Sequence, residues 1–400
     1  MRTQVGLFLA IVALFASDLS AADKPQYEFE AVKVPAARAD EPVRETFSLK
    51  LAAEHLEQGN LAWSNSRKCV SCHTNGTYMS IRPALTPVLG PPPAAAREFF
   101  VSTLKTLKGT PVETLRTSTR PAQVIYVAAG LAEWDAHVTK QLSPETEEAL
   151  ALMFDIQLES GTWGTLDCWP PFESDSYHEA TVAAMAIGTA PGWLAKAIER
   201  GTPTADEKGG ASHPSAPGVP QRAGPASDEK LKTGVARLKS YLATQTPLHD
   251  YSRVLLLWAS TRLPDLLTDV QKQELVTLIF QHQREDGGWS VRTFAAPESW
   301  GGGNRAKKLR EEPDFAAPAS DGHQTGLSLI VLRSAGVDAK DPRMQKGVQW
   351  LLTHQRESGR WWTRSLNTDS WHFITYSGTS YPLLALSLCD ALPTNAAASK

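Results

Sequence analysis

A chain of 400 residues, 42% hydrophobic and 21% charged, is long and apolar enough to bury a large core. Length alone suggests two or three domains. The formal net charge of −3 argues against a nucleic-acid partner.

The N-terminus, MRTQVGLFLAIVALFASDLSAAD, carries Arg2, an apolar run from Val5 to Ala16, and small residues Ser20 and Ala22 before Asp23. This is the pattern of a secretory signal peptide over residues 1–22, which implies a periplasmic or secreted protein. The apolar run is shorter than the roughly 20 residues a span needs, and nothing after residue 23 is apolar enough to cross a bilayer. Residues 23–46, rich in Pro, Ala and charge, read as an extended leader. A helical run near 47–66 follows, and a single folded body is expected over 47–392.

Within 66–82 lies Cys69-Val70-Ser71-Cys72-His73. In the CxxCH pattern two thiols bond the haem vinyl groups and the adjacent His ligates iron. Attachment of that kind occurs outside the bacterial cytoplasm, in agreement with export. Cys69, Cys72 and His73 are therefore the expected holders of a covalent c-type haem, with His73 an iron ligand and Met79, six residues on, the nearest candidate for a second. The same residues also suit a Cys69–Cys72 disulfide or half of a zinc site. The remaining cysteines, Cys168 and Cys389, are buried thiols or a pair; spacing does not decide.

Helical runs near 94–107 and 121–138 lead to the segment Gln157–Trp163, QLESGTW, whose QxxxGxW core returns as QREDGGW at Gln283–Trp289 and QRESGRW at Gln355–Trp361. The spacings of Gly161, Gly287 and Gly359 become multiples of roughly 45 residues once two insertions are removed. The first, about 201–226, is Pro/Gly/Ser/Ala-rich, aperiodic and expected to be mobile; the second, about 291–319, holds Trp300, three glycines and a charged stretch. Each repeat ends an amphipathic helix with Gln, turns at Gly and buries a Trp, and cannot cover its apolar face without stacking on neighbours. A weaker copy, without GxW, runs from Leu231 to Gln245. Between the copies lie helices apolar nearly all round: Ala180–Gly188, Val254–Ser260, Leu327–Gly336 and Tyr381–Cys389. These belong inside, and surface helices such as Leu267–Gln283 belong outside. A closed double ring of about six helix pairs is the simplest all-α architecture, and it makes one domain of the chain. Residues 393–400 read as a disordered tail.

The starts of the inner helices share a second pattern. Asp175/His178, His249/Asp250, Asp321/His323 and Asp369/His372 each place an Asp within three residues of a His. In a toroid such starts lie at one level around the mouth, where Asp175, His178, Asp321 and His323 could hold a divalent metal or run acid–base chemistry. The plainer explanation is helix capping, since an Asp side chain satisfies free N–H groups and suits the positive helix end.

KGVQWLLTHQRESGRW (Lys346–Trp361) resembles the QW repeat of squalene–hopene cyclases and is similar to the repeats of protein prenyltransferase β subunits. The tail His372–Leu388 resembles the cyclase ending. Over residues 140–392 the resemblance implies an α/α toroid around an apolar cavity and, for a ligand, a hydrophobic, isoprenoid-like small molecule. The sequence departs from both families in its chemistry. It contains no DxDD, the motif whose middle Asp protonates the alkene in the cyclases; the nearest equivalent is Glu173-Ser174-Asp175-Ser176. It contains no DDxxD, and Asp321-Gly322-His323 has His where the prenyltransferase zinc pair has Cys. Three functions follow as expectations: a haem- or metal-using enzyme with a redox partner protein, a hydrophobic-ligand binder with haem as electron relay, or a scaffold stapled at Cys69–Cys72. A cyclase- or prenyltransferase-like enzyme without haem is the further alternative.

Overall fold

The computed structural model describes residues 24–164, 169–172, 175–199, 225–368 and 370–392. Residues 1–22, where a signal peptide is expected, nearly all of the first insertion, Cys168, Asp369 and the tail 393–400 lie outside the described residues.

Among the described residues, twelve helices form six outer–inner pairs: α1 (Leu49–Arg67) with α2 (Thr77–Ile81), α3 (Ala94–Lys108) with α4 (Arg120–Trp134), α5 (Pro144–Asp155) with α6 (Ser176–Thr189), α7 (Pro225–Thr244) with α8 (Asp250–Ser260), α9 (Asp269–Gln281) with α10 (Gly322–Ser334), and α11 (Pro342–Thr353) with α12 (Ile374–Leu388). The even-numbered helices pack α4 on α6, α6 on α8, α8 on α10, α10 on α12, α12 on α2 and α2 on α4, which closes an inner ring. The fold is an all-α toroid. Inner helices α4, α6, α8, α10 and α12 are buried along most of their length, whereas α9 buries only Val276 and Ile279. A helix apolar on every face is stable only with neighbours on every face. No described helix is long and apolar enough to cross a membrane.

Each QxxxGxW turn is built alike. The indole N–H of Trp163 donates to Met153 O at 2.7 Å, that of Trp289 to Ile279 O at 2.8 Å and that of Trp361 to Leu351 O at 2.8 Å. Each is therefore buried without an orphaned donor. The Gln amide closes its own turn and ties it to the next outer helix. Gln157 Nε2 donates to Gly161 O and to Gly234 O in α7, Gln283 Nε2 to Gly287 O and Arg343 O in α11, and Gln355 Nε2 to Gly359 O and Ser48 O at the start of α1. The turn glycines sit at φ of 91°, 90° and 86°, in the left-handed region open to glycine. A Cβ on Gly359 would lie 2.5 Å from the Leu51 carbonyl carbon of α1.

The N-terminal segment differs from the sequence expectation. Residues 24–46 are not a free leader: β1 (Pro25–Phe29) and β2 (Val32–Pro35) pair antiparallel, and Tyr27 is buried against α1 and α12. Aromatic and β-branched residues at alternating positions give this hairpin an apolar face, which the length of the leader obscured. The second insertion is folded too, with short helical turns at Val291–Phe294 and Pro297–Trp300 and a helix at Arg305–Arg310. Arg292 and Glu312 anchor it through a two-pronged, buried ion pair.

Candidate functional site

The CxxCH segment forms the start of the first inner helix. Lys68, in the left-handed conformation, stops α1, and Asn75 folds the chain back by accepting from Ser71 N at 2.8 Å and donating to Cys69 O at 3.0 Å. A single π-helical turn, Cys72–Gly76, then runs into α2. Gly76 is required there, because a Cβ would lie 2.5 Å from Ser71 O and 2.9 Å from the Tyr126 ring.

Cys69 and Cys72 are both thiols, not joined in a disulfide. Cys69 is partly exposed beside Trp63 and Arg67, and burial pushes its thiol up. Cys72 is buried toward Tyr381, whose hydroxyl is held above its ordinary value by burial and then by Cys72. His73 stacks on Phe373 at 4.7 Å and meets the Trp63 edge at 4.8 Å and Trp169 at 5.7 Å. Burial pushes its pKa down to about 3, so it is a neutral imidazole at ordinary pH. Its Nδ1 lies 2.8 Å from Thr74 Oγ1, which leaves Nε2 as the nitrogen for a metal.

Met79 is placed elsewhere. It is fully buried on α2, and a Cβ on Gly130 would lie 2.7 Å from Met79 Cβ and 2.8 Å from Phe100. It fills the seam between the first two inner pairs, as a Met near an apolar turn does. The residues gathered around His73 are aromatic, so the candidate second ligand becomes a core residue.

Of the Asp/His starts, those of α6, α8 and α10 meet in the interior, through Ser252, Tyr251 and Phe172. Asp175 caps α6 by accepting from His178 N at 2.7 Å, and its other oxygen accepts from Ser252 Oγ at 3.2 Å. His249 caps α8: its Nδ1 accepts from Ser252 N at 3.1 Å, so Nε2 carries the proton and faces Asp175 at 3.6 Å. Asp321 caps α10 through Gln324 N at 2.9 Å and ties down the second insertion through Val291 N at 2.7 Å. Burial pushes Asp321 up to about 6 against those hydrogen bonds.

His178 and His323 both point into the interior, each against one face or edge of Phe172 and both near Tyr251. Ser377 spends its hydroxyl proton on Ile374 O, so His323 Nδ1–H donates to Ser377 Oγ at 2.7 Å and Nε2 accepts from Tyr251 at 3.1 Å. His178 Nδ1–H donates to Pro171 O at 2.9 Å and Nε2 lies 3.3 Å from the Tyr126 hydroxyl. Burial holds His178 and His249 below the usual histidine range against the pull of Asp175, and takes His323 to about 3. With both nitrogens of His178 and His323 engaged, neither is presented to a metal. Among the described residues no group of three or more His, Cys, Asp or Glu is disposed to hold one. Asp250 turns outward instead, to Arg253 and to His282 Nε2 at 2.8 Å, and His372 accepts from Ser365 N at 3.0 Å.

Several partners had no sequence signal. Phe172, Trp300, Tyr126 and Ser377 reach the mouth from four separate segments, and only Tyr251, two residues after His249 in a helix apolar on every face, was open to inference.

Residues 255–390 match the family described as "Squalene-hopene cyclase C-terminal domain". That stretch spans α8 to α12 and includes two of the three QxxxGxW turns, so the similarity falls on the second half of the toroid. The CxxCH pair lies outside it.

Proposed function

We propose that the chain is an exported haem protein on a cyclase-like toroid, with Cys69 and Cys72 as the covalent attachment points, His73 as the iron ligand, and a hydrophobic, isoprenoid-like molecule as its ligand or redox substrate. One observation carries the reading: Cys69 and Cys72 lead directly into a neutral, buried imidazole whose Nδ1 is already engaged, so Nε2 is the nitrogen on offer. A haem bound there would supply one-electron chemistry. The chain's own residues do the rest. Trp63, Trp169 and Phe373 fix the imidazole plane and keep water from it. Tyr251, His323 and Ser377 form a neutral, buried hydrogen-bonded line in the interior of the toroid. Similarity to the cyclase C-terminal domain supports a hydrophobic ligand.

The test is production in a host with periplasmic cytochrome maturation. Haem should survive denaturing acid and solvent extraction, and Cys69→Ala with Cys72→Ala should abolish it. A colourless protein with a Cys69–Cys72 disulfide would refute the reading. Cyclase-type chemistry without haem is the second reading, favoured by the same similarity. Its acid would be Asp175, which already accepts from His178 N and Ser252 Oγ, or Asp321, the buried carboxyl raised to about 6, yet both oxygens of Asp321 accept backbone N–H groups, which favours the charged form over a proton donor.

A further inference from the structure

We propose that Thr74 and Tyr27 are positioning residues for His73: together they set how strongly its imidazole donates to a bound iron, and so set the reduction potential. The inference rests on the haem reading above and goes beyond it by naming what tunes the site. Thr74 Oγ1 lies 2.8 Å from His73 Nδ1, and Tyr27 Oη lies 3.3 Å from Thr74 Oγ1. Thr74 is fully buried and Tyr27 is 2% exposed, so water does not compete for these bonds.

An imidazole that ligates through Nε2 keeps its proton on Nδ1, so His73 donates to Thr74. Thr74 then has its own hydroxyl proton to give to Tyr27. Each donation makes the oxygen that gives it a better acceptor for the bond before. The line from His73 through Thr74 to Tyr27 therefore draws the Nδ1 proton outward and enriches the imidazole in electrons. An electron-rich imidazole favours ferric over ferrous iron and lowers the potential. Tyr27 is 47 residues from Thr74 and arrives on β1, so the N-terminal hairpin forms part of the redox site.

The experiment uses the haem-loaded full chain and measures haem content, as the pyridine haemochrome, and midpoint potential. Thr74→Val keeps the shape and removes the acceptor, Thr74→Ser restores it, and Tyr27→Phe removes only the outer bond. Thr74→Val should keep its haem and shift the midpoint upward, Tyr27→Phe should shift it upward by less, and Thr74→Ser should return it to the wild-type value. Loaded variants with the wild-type midpoint would overturn the inference and leave the haem reading intact. A wild-type chain without haem would refute that reading and the inference with it. Should Thr74→Val fail to fold, Thr74→Ser and Tyr27→Phe decide: an unchanged midpoint in Tyr27→Phe overturns the line of bonds, and an upward shift with serine at the wild-type value supports it.

Discussion

Single residues carry the repeat. Trp361 is fully buried, donates to Leu351 O and packs on Phe47 at 6.0 Å, so Trp361→Ala should cost about 3–5 kcal/mol in urea unfolding. Gly359→Ala should also destabilise, by more than the roughly 1 kcal/mol of an ordinary glycine-to-alanine preference, because both φ and the approach of Leu51 oppose a Cβ. A neutral outcome for either would deny the turn its structural role. His323 makes a pH prediction of definite sign. Its pKa is about 3 when folded against an ordinary histidine value of 6.5, so between those limits the unfolded chain holds the extra proton. Stability is fully present above pH 6.5 and falls with acid by about 1.4 kcal/mol per pH unit from this one group. Asp321, raised to about 6 from 3.8, acts oppositely, since its folded form holds the extra proton over that window. Urea unfolding from pH 4 to 7 should therefore give His323→Gln a shallower pH slope than wild type by about one proton. Parallel profiles would show that burial does not keep this histidine neutral.

At the scale of elements, the inner helices show how one sequence pattern serves two ends. Asp175, His249 and Asp321 each cap a helix with a side chain that also reaches a second element, namely Ser252, Asp175 and Val291 N. The capping explanation read from the sequence accounts for the carboxylates. It does not account for His178 and His323, which face the interior and bond to Tyr126 and Tyr251 of the neighbouring helices. The CxxCH turn belongs to the same set of helix starts, as the first inner element, and His73 comes within ring contact of the segments that precede α6 and α12. Its short helix has only five residues, too few for the apolar periodicity that identified the others.

For the whole molecule, the decisive contact is the one that closes the ring. Gln355 donates to Ser48 O at 3.0 Å and accepts from Ser48 N at 2.6 Å, joining the last outer helix to the first. Residues 35–44 continue the seam: Arg360 donates to Pro35 O at 2.8 Å and pairs with Glu41 at 3.2 Å, and Arg44 N donates to Gln355 O at 2.8 Å. Leaving the buried partners of Gln355 unsatisfied costs about 1–3 kcal/mol. Gln355→Ala should accordingly raise amide exchange in α1 and α11, whereas Gln283→Ala should raise it in α9 and α11. Identical exchange maps for the two would mean that the chain ends do not form a distinct seam.

Periodicity alone determined the all-α class, the alternation of surface and buried helices, and the six-pair toroid, because a helix covered on all faces and a QxxxGxW turn with its buried Trp each admit few surroundings. The CxxCH pattern was equally legible, but at that spacing thiols and an adjacent imidazole left haem, disulfide and zinc open. Only the tertiary structure decided that the N-terminal hairpin belongs to the body, that Trp300 of the second insertion enters the mouth against His249 at 4.8 Å, and that Met79 is core. It also decided that His178 and His323 are tied to tyrosines. The physical reason is the same in each case: these contacts join residues far apart in the chain, and which polar atom finds which partner depends on the closed ring, not on any local pattern.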